Sequence, residues 1–566
     1  MIPSPRAVLA CLALAVSSVV TASEQHQIVR IHAADAGLRH QLGDLFGHIG
    51  YDETTGIAMV ETDVLGRDRL RRLGIGWQVD ADATAAYQAF IEHGVDGLRA
   101  IPGYACYRTV EETFASIDTM VAHYPVLASS IDIGDSWRRV QDPGQGYPLR
   151  VLRLGNREAT GKKPAMFAMS SVHAREYTPA ELMTRFAERM LAGYGSDANA
   201  TWLLDNFEFH LLLHSNPDGR KRAEQAVLWR KNENINHCPQ MNGNPDGNSH
   251  PGVDLNRNFP FNWQPGGTGP QQCSAVYPGV GAASEPETQA IRDYVLDIFP
   301  DTRPGTDLTA AADPDTSGLF LDMHSYTGLV LWPWGVSVQS GNEMAFRHLG
   351  RRLAWFNNYT PQQSVALYPT YGTTVDFAYG ERGVPALTFE LGTAFFENCN
   401  TFQSTILPDN LAALDYAARS LHAPYRLPWG PDSYNVAASN DKAVQGETVR
   451  ISATVNDGRY RNEGGSGSAL AIQNVAAAHL YVDRLPWQPG ATGMPMLATD
   501  GNFDASMESV HLDLDTAALP VGRHLLYVQG TDADGHAGAP SAVFLEIKAD
   551  PDRLFADGFE PPPGSP

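Results

Sequence analysis

A chain of 566 residues, 43% hydrophobic and 19% charged, has the composition of a folded globular protein, and at roughly 100–200 residues per domain it holds about three folding units. Its 52 Gly and 38 Pro follow no period, which excludes a fibrous chain. The 41 Lys and Arg against 64 Asp and Glu leave a net charge of −23, which argues against nucleic acid as a partner; such acidity favours solubility and names no substrate.

The first segment, 1–23, reads as a signal peptide. A short basic start ending at Arg6 precedes the apolar run 7–20, and Val20-Thr21-Ala22 fits a small-residue cleavage site, with the cut after Ala22 or Ser23. The run is shorter than the roughly 20 residues a spanning helix needs, and no later segment supplies a membrane span. Secretion, extracellular or periplasmic, is therefore expected. Cys11 leaves with the signal, so the exported chain keeps Cys106, Cys238, Cys273 and Cys399; in an oxidising compartment they allow three pairings.

Residues 24–100 form a small α/β pattern: strands at 27–31, 56–61 and 75–79, with helices at 37–46 and 63–73. A turn-rich junction with Arg99, open to a protease, ends it. Between 104 and 424 strands and helices alternate. Apolar strands are expected at 165–170, 207–214, 318–323, 328–333 and 386–391, and helices at 109–123, 179–193, 284–298 and 342–357. This is one large α/β layer domain around a buried sheet, with 299–317 as a surface insertion. From 432 to 548 short alternating strands lie between Gly, Asp and Asn turns, the pattern of a β-sandwich whose ligand the sequence does not name. The tail 549–566 is Pro-rich.

His173-Ala-Arg-Glu176 follows an apolar strand and precedes a helix. A His and a Glu three apart can share one cation. His324, directly after another strand, supplies a third ligand, and a His₂Glu set with one open position is a catalytic zinc arrangement. The pair alone is weak evidence. With it, in order, come Asn216-Pro-Asp-Gly219, Trp229-Arg-Lys231, Gly252-Val-Asp-Leu-Asn-Arg-Asn258, His324-Ser-Tyr326, Tyr368 seven residues before Val375-Asp-Phe377, and Thr388-Phe-Glu-Leu391. Over residues 104–424 the chain thereby resembles the zinc carboxypeptidases, the funnelin metallocarboxypeptidases of the A, B and T types.

The resemblance implies a central mixed β-sheet flanked by helices and one catalytic Zn²⁺ held by His173, Glu176 and His324, with zinc-bound water as the nucleophile. It makes Glu390 the general base and acid, Arg230 the stabiliser of the oxyanion, and Asp254 the carboxylate that orients His173. Asn256, Arg257 and Tyr368 then bind the terminal carboxylate of the substrate, the C-terminus of a peptide or protein. Arg175, Ser325 and Tyr326 line substrate subsites. Val375 falls at the specificity position, which is apolar in the A type and Asp in the B type, so apolar or aromatic C-terminal residues are expected. The resemblance also pairs Cys238 with Cys273, leaving Cys106 for Cys399, and makes 24–100 a prodomain that an activating protease removes. His210 and His214, in an apolar strand, read as core histidines; His237 and His250 read as solvated loop residues.

Overall fold

The computed structural model describes residues 27–47, 49–52, 55–62, 64–81, 83–84, 100–101, 103–225, 227–238, 250–264 and 272–549. The signal segment, Arg99 and nearly all of the C-terminal tail lie outside them.

The N-terminal unit is an antiparallel four-stranded sheet in the order β2-β3-β1-β4. It is built from β1 (Gln27–His32), α1 (Ala36–Phe46), β2 (Gly50–Asp52), β3 (Ile57–Thr62), α2 (Val64–Arg72) and the short β4 (Gln78–Val79). Asp35 caps α1, accepting from the Leu38 N–H, and Gly47 ends it in the left-handed region at φ 75°. Val29, Ile31, Leu42 and Leu45 form its core, and Leu329, Leu331, Leu367 and Tyr368 of the next unit pack into that same core. The two units share apolar surface.

The second unit carries an eight-stranded mixed sheet in the order β11-β10-β12-β9-β7-β8-β6-β5. Its strands are β5 (Ala128–Asp135), β6 (Pro148–Leu154), β7 (Ala165–Ser170), β8 (Glu208–Leu212), β9 (Leu319–His324), β10 (Leu329–Trp332), β11 (Thr360–Gln363) and β12 (Ala386–Glu390). β8, β7, β9 and β12 run parallel, and every residue of β7, β9 and β12 is buried. That is why these strands read as continuous apolar runs: helices cover both faces. The helices include α3 (Val110–His123), α4 (Thr178–Gly193), α5 (Ala198–Asn206), α6 (Pro217–Ala223), α7 (Pro286–Ile298), α8 (Glu343–Asn357), α9 (Thr374–Arg382) and α10 (Leu407–Arg419). Thr109 and Glu112 close a reciprocal capping box on α3. The fold class expected from the sequence is the one observed.

Residues 299–318 have no helix or strand, as an insertion should. They are not merely superficial. Arg303 is buried at their centre and donates to the carbonyls of Ala310, Gly305 and Gly380 at 2.9, 3.4 and 3.2 Å. Two disulfides tie the unit, Cys106–Cys399 and Cys238–Cys273, with Cα separations of 5.6 and 5.2 Å.

Two further sheets, β13-β15-β19-β18 and β14-β21-β20-β16-β17, span 432–548 and face each other across one apolar core. The strands are β13 (Asp432–Ala438), β14 (Lys442–Val444), β15 (Thr448–Asn456), β16 (Val475–Val482), β17 (Met494–Pro495), β18 (Leu497–Ala498), β19 (Met507–Asp515), β20 (Gly522–Asp532) and β21 (Ser541–Lys548). β15 alternates exposed and buried residues along its first half, as a sandwich strand must. Arg352 of α8 is fully buried against this unit, donating to Gly430 O and to Asp457 Oδ1 at 2.6 and 3.0 Å. Arg419 at the end of α10 reaches Asp432 at 2.7 Å. Among the described residues, no helix is long and apolar enough to cross a membrane.

Candidate active site

In open α/β sheets ligands bind beyond the carboxyl ends of the parallel strands. Here those ends gather the candidate residues. His173 and Glu176 follow β7, and His324 closes β9, where it pairs in register with Glu390, the last residue of β12. Parallel pairing therefore sets the third ligand beside the proposed base.

The ligand candidates converge. His173 Nδ1 lies 2.7 Å from Glu176 Oε1, His324 Nδ1 lies 3.0 Å from Glu176 Oε2, and the two Nδ1 atoms are 3.1 Å apart. All three side chains are buried, and their ligand atoms fall within 4.8 Å of one another. Each ring turns its other nitrogen to a carboxylate: His173 Nε2 to Asp254 at 3.2 Å, His324 Nε2 to Asp322 at 2.9 Å. That tautomer leaves both Nδ1 lone pairs facing one point with a carboxylate between them. Two imidazole acceptors and a carboxylate aimed at a shared centre fit a divalent cation, and the outer carboxylates are the usual supports of metal-bound histidines.

Arg230 is 4% exposed and donates to Asp254 Oδ2 through Nε and Nη2 at 3.2 and 2.8 Å. Burial works against its charge, but Asp254 holds its pKa above the ordinary arginine value. Glu390 is buried at 6% exposure. Burial pushes its carboxyl up to about 8, with Glu176 and Asp322 adding to the rise and His324 and Arg230 opposing it.

Asn256 and Arg257 sit in a short turn whose first residue is Asp254; the Asp254 side chain accepts the Asn256 N–H at 3.1 Å. Arg257 donates to its neighbour Asn256 O at 2.6 Å and to the Tyr368 hydroxyl at 3.2 Å. Val375, in the first turn of α9, is 4% exposed and lines the same cleft as Thr388 and Glu390. One cleft thus unites His173, Arg230, Asn256, Arg257, His324, Tyr368, Val375 and Glu390. Arg175, Ser325 and Tyr326 lie to its side. Arg175 stacks 3.9 Å over the Phe395 ring; Tyr326 lines a neighbouring cavity of about 370 Å³ against the N-terminal unit. The Ser325 N–H points at Glu176 Oε2, 3.3 Å away.

The N-terminal unit closes the cleft. The carboxyl end of α1 arrives carbonyls first, the negative pole of the helix: Phe46 O accepts from Arg175 at 2.9 Å, and Gly47 O lies 3.5 Å from the Tyr368 hydroxyl. A β-carbon on Gly47 would lie 2.7 Å from Arg230 Cδ, so only glycine fits. The space left open in the cleft beside Gly47 is small, about 50 Å³. A larger void of about 710 Å³, beside Trp429 and Trp487 at the sandwich, holds none of these groups.

Asp322 is the site residue that sequence reasoning missed. It is fully buried, faces His324, and accepts from Thr374 Oγ1 at 2.5 Å. A signal was present: a lone Asp in an apolar strand, two residues before a ligand His, shares that ligand's face. His210 is held by Tyr294 at 2.7 Å and His214 by Thr113 at 3.1 Å, both as core residues. His237 and His250 are half-buried instead of solvated: the His237 ring packs 5.9 Å from that of Tyr277, and the His250 N–H donates to Cys273 O at 3.0 Å.

Residues 113–412 match the family described as zinc carboxypeptidase. Among curated proteins, bovine (Bos taurus) carboxypeptidase A1 is 28% identical over 51% of this chain and 63% of its own length, so the match spans less than two thirds of that relative. Human (Homo sapiens) carboxypeptidase A1 is 28% identical over 57% of this chain and 72% of its own. In fold, the chain is similar to a crystal structure of carboxypeptidase A from Helicoverpa armigera, with a TM-score of 0.54 at 20% identity, covering 71% of this chain and 98% of that one.

Proposed function

Because the chain belongs to the zinc carboxypeptidase family, we propose that it is a secreted zinc metallocarboxypeptidase, made as a proenzyme, that removes C-terminal residues from peptides and proteins. The observation that carries this is the convergence of His173, Glu176 and His324 in a cleft that also holds Glu390 and two arginines. When bound by those three ligands, zinc supplies Lewis-acid polarisation of the scissile carbonyl and acidifies water. The chain's own residues do the rest. Glu390 takes a proton from the attacking water as the new C–O bond forms and the carbonyl oxygen gains negative charge; it then delivers that proton to the amine nitrogen as the carbonyl re-forms and the peptide C–N bond breaks. Arg230, fixed by two hydrogen bonds to Asp254, presents a positive charge to the oxygen on which negative charge develops.

Arg257 and Asn256 bind the free carboxylate of the substrate, a planar guanidinium being suited to two oxygens at once. Tyr368, already within reach of Arg257, covers the bound residue. Val375 leaves the specificity pocket uncharged, which favours apolar or aromatic terminal residues. Export is supported by the N-terminal apolar run and the two disulfides. The proenzyme reading is supported by the carboxyl end of α1 lying against Arg175, Arg230 and Tyr368. The test is hydrolysis of short peptides ending in Phe, Leu, Lys or Arg by the protein cleaved at the Arg99 junction. Release of Phe and Leu is expected to dominate. A preference for Lys and Arg would overturn the specificity, and no release of any terminal residue would overturn the activity.

A further inference from the structure

One edge of the catalytic sheet is β11, a parallel neighbour of β10 with no strand paired on its outer side among the described residues. Exposed edges invite unwanted pairing and are normally covered. Here the cover comes from the β-sandwich. The segment 461–468, between β15 and β16, leaves the sandwich and lies along β11. The Ser466 N–H donates to Pro361 O at 3.0 Å, and Ser466 Oγ accepts the Gln363 N–H at 3.0 Å. Gly465, at φ 78°, approaches so closely that a β-carbon would stand 1.8 Å from Pro361 O.

A second anchor grips the strap from the helix side. Arg351 of α8 is fully buried and donates to Arg461 O at 2.7 Å, to Ser466 O at 3.1 Å, and to Gly464 O and Gly467 O at 3.3 Å each. Arg347, one turn earlier, reaches Ser468 Oγ at 3.2 Å. Two helix arginines therefore organise a loop whose backbone carbonyls face inward.

β11 leads directly into the segment that carries Tyr368. Its last residue, Gln363, donates through its side chain to Trp334 O, Val336 O and Val338 O at 3.2, 3.1 and 2.7 Å. Ser364 Oγ holds Trp332 O at 2.9 Å, and the Leu367 N–H closes a turn on Ser364 O at 3.1 Å. Tyr368 follows, five residues from the atom that Ser466 holds.

We propose that the strap 461–468 is a positioning element for Tyr368, with Gly465 and Ser466 as its positioning residues, so that the sandwich serves the catalytic cleft of its own chain. The role of Tyr368 rests on the function proposed above. A loosened strap frees β11 and the turn after it, weakening the cap over bound substrate while leaving the reacting groups in place. In Gly465→Ala, amide hydrogen exchange of 363–370 in the full chain rises at least about tenfold. In the activated protein KM rises about three- to tenfold with kcat within about twofold. Ser466→Ala moves both readouts the same way by less, and Ser466→Thr, which keeps the hydroxyl, restores them. Val510→Ala, in the sandwich core away from the strap, lowers Tm without moving KM.

Exchange and KM at wild-type values in Gly465→Ala, or a KM change in Val510→Ala equal to that in Gly465→Ala, overturns the proposal. If Gly465→Ala does not fold, the Ser466 pair decides by the same criteria. If the wild type releases no terminal residue, the proposed function fails instead, and the exchange of 363–370 alone judges the strap.

Discussion

Gly47→Ala should unplug the cleft with every proposed catalytic residue left unsubstituted. A methyl group at this position meets two separate costs. Its φ of 75° is the left-handed region, where a β-carbon costs about 1–2 kcal/mol; that cost falls on the N-terminal unit whether docked or not. The second cost belongs to docking alone. The new carbon would stand 2.7 Å from Arg230 Cδ and 2.9 Å from its Nε, and Arg230 cannot swing away without breaking its paired hydrogen bonds to Asp254. Overpacking of this kind costs about 1–3 kcal/mol, which at 1.4 kcal/mol per factor of ten weakens docking by about 5- to 150-fold. The assay compares peptidase activity of the uncut full chain with that of the chain cut near Arg99. Uncut Gly47→Ala should exceed uncut wild type by at least about fivefold, while the two cut proteins match. Equal activity of the uncut proteins, with both activated alike by cutting, would refute occlusion by the end of α1.

Glu390→Gln should lose about 10²- to 10⁴-fold in kcat, the usual range for a general base, yet bind one zinc per chain by metal analysis. Asp322→Asn leaves the ligands intact but weakens the support of His324, so zinc affinity should fall about 10- to 100-fold, with activity recovered in excess zinc. Glu287 is fully buried beside Glu285, and burial pushes its pKa up to about 8. The folded state therefore holds a proton there that the unfolded chain releases near the ordinary carboxyl value, so this group's contribution to stability falls as pH rises from about 4.5 to 8. Glu287→Gln should flatten that fall: the drop in Tm between pH 5 and pH 8.5 becomes smaller than in wild type, and an unchanged drop refutes the assignment.

Legibility in the sequence followed burial. β7 and β9 are buried on both faces, so Ala-Met-Phe-Ala-Met-Ser and Leu-Phe-Leu-Asp-Met-His announce themselves as apolar runs that end at ligands. β11 does not. Thr-Pro-Gln-Gln has no apolar alternation, because its outer side is covered by a loop from another unit and its glutamine serves three carbonyls. The Gly-Arg-Arg stretch of α8 is another such place. Arg351 and Arg352 would be taken for a solvent face, yet both are fully buried, since the surface that buries them lies about a hundred residues downstream. The hairpin of β5 and β6 escaped for the opposite reason: β5 is mostly half-exposed at the sheet's far edge. The side chains proposed for the site could be picked out in the sequence because the metal, proton-transfer and carboxylate-binding roles proposed for them call for particular residue types. The plug was not, because Phe46 and Gly47 act through backbone carbonyls, which every residue carries.

The most direct test of the central claim is mass-spectrometric product analysis of a mixed peptide pool incubated with the cut protein. The pool contains each peptide as a free acid and as a C-terminal amide, with and without a zinc chelator. The account predicts stepwise loss of single C-terminal residues from the free acids, slow or no loss from the amides because Arg257 lacks its carboxylate, and abolition by the chelator with recovery on adding zinc. Equal cleavage of the amides, internal cuts, or activity indifferent to the chelator would contradict it.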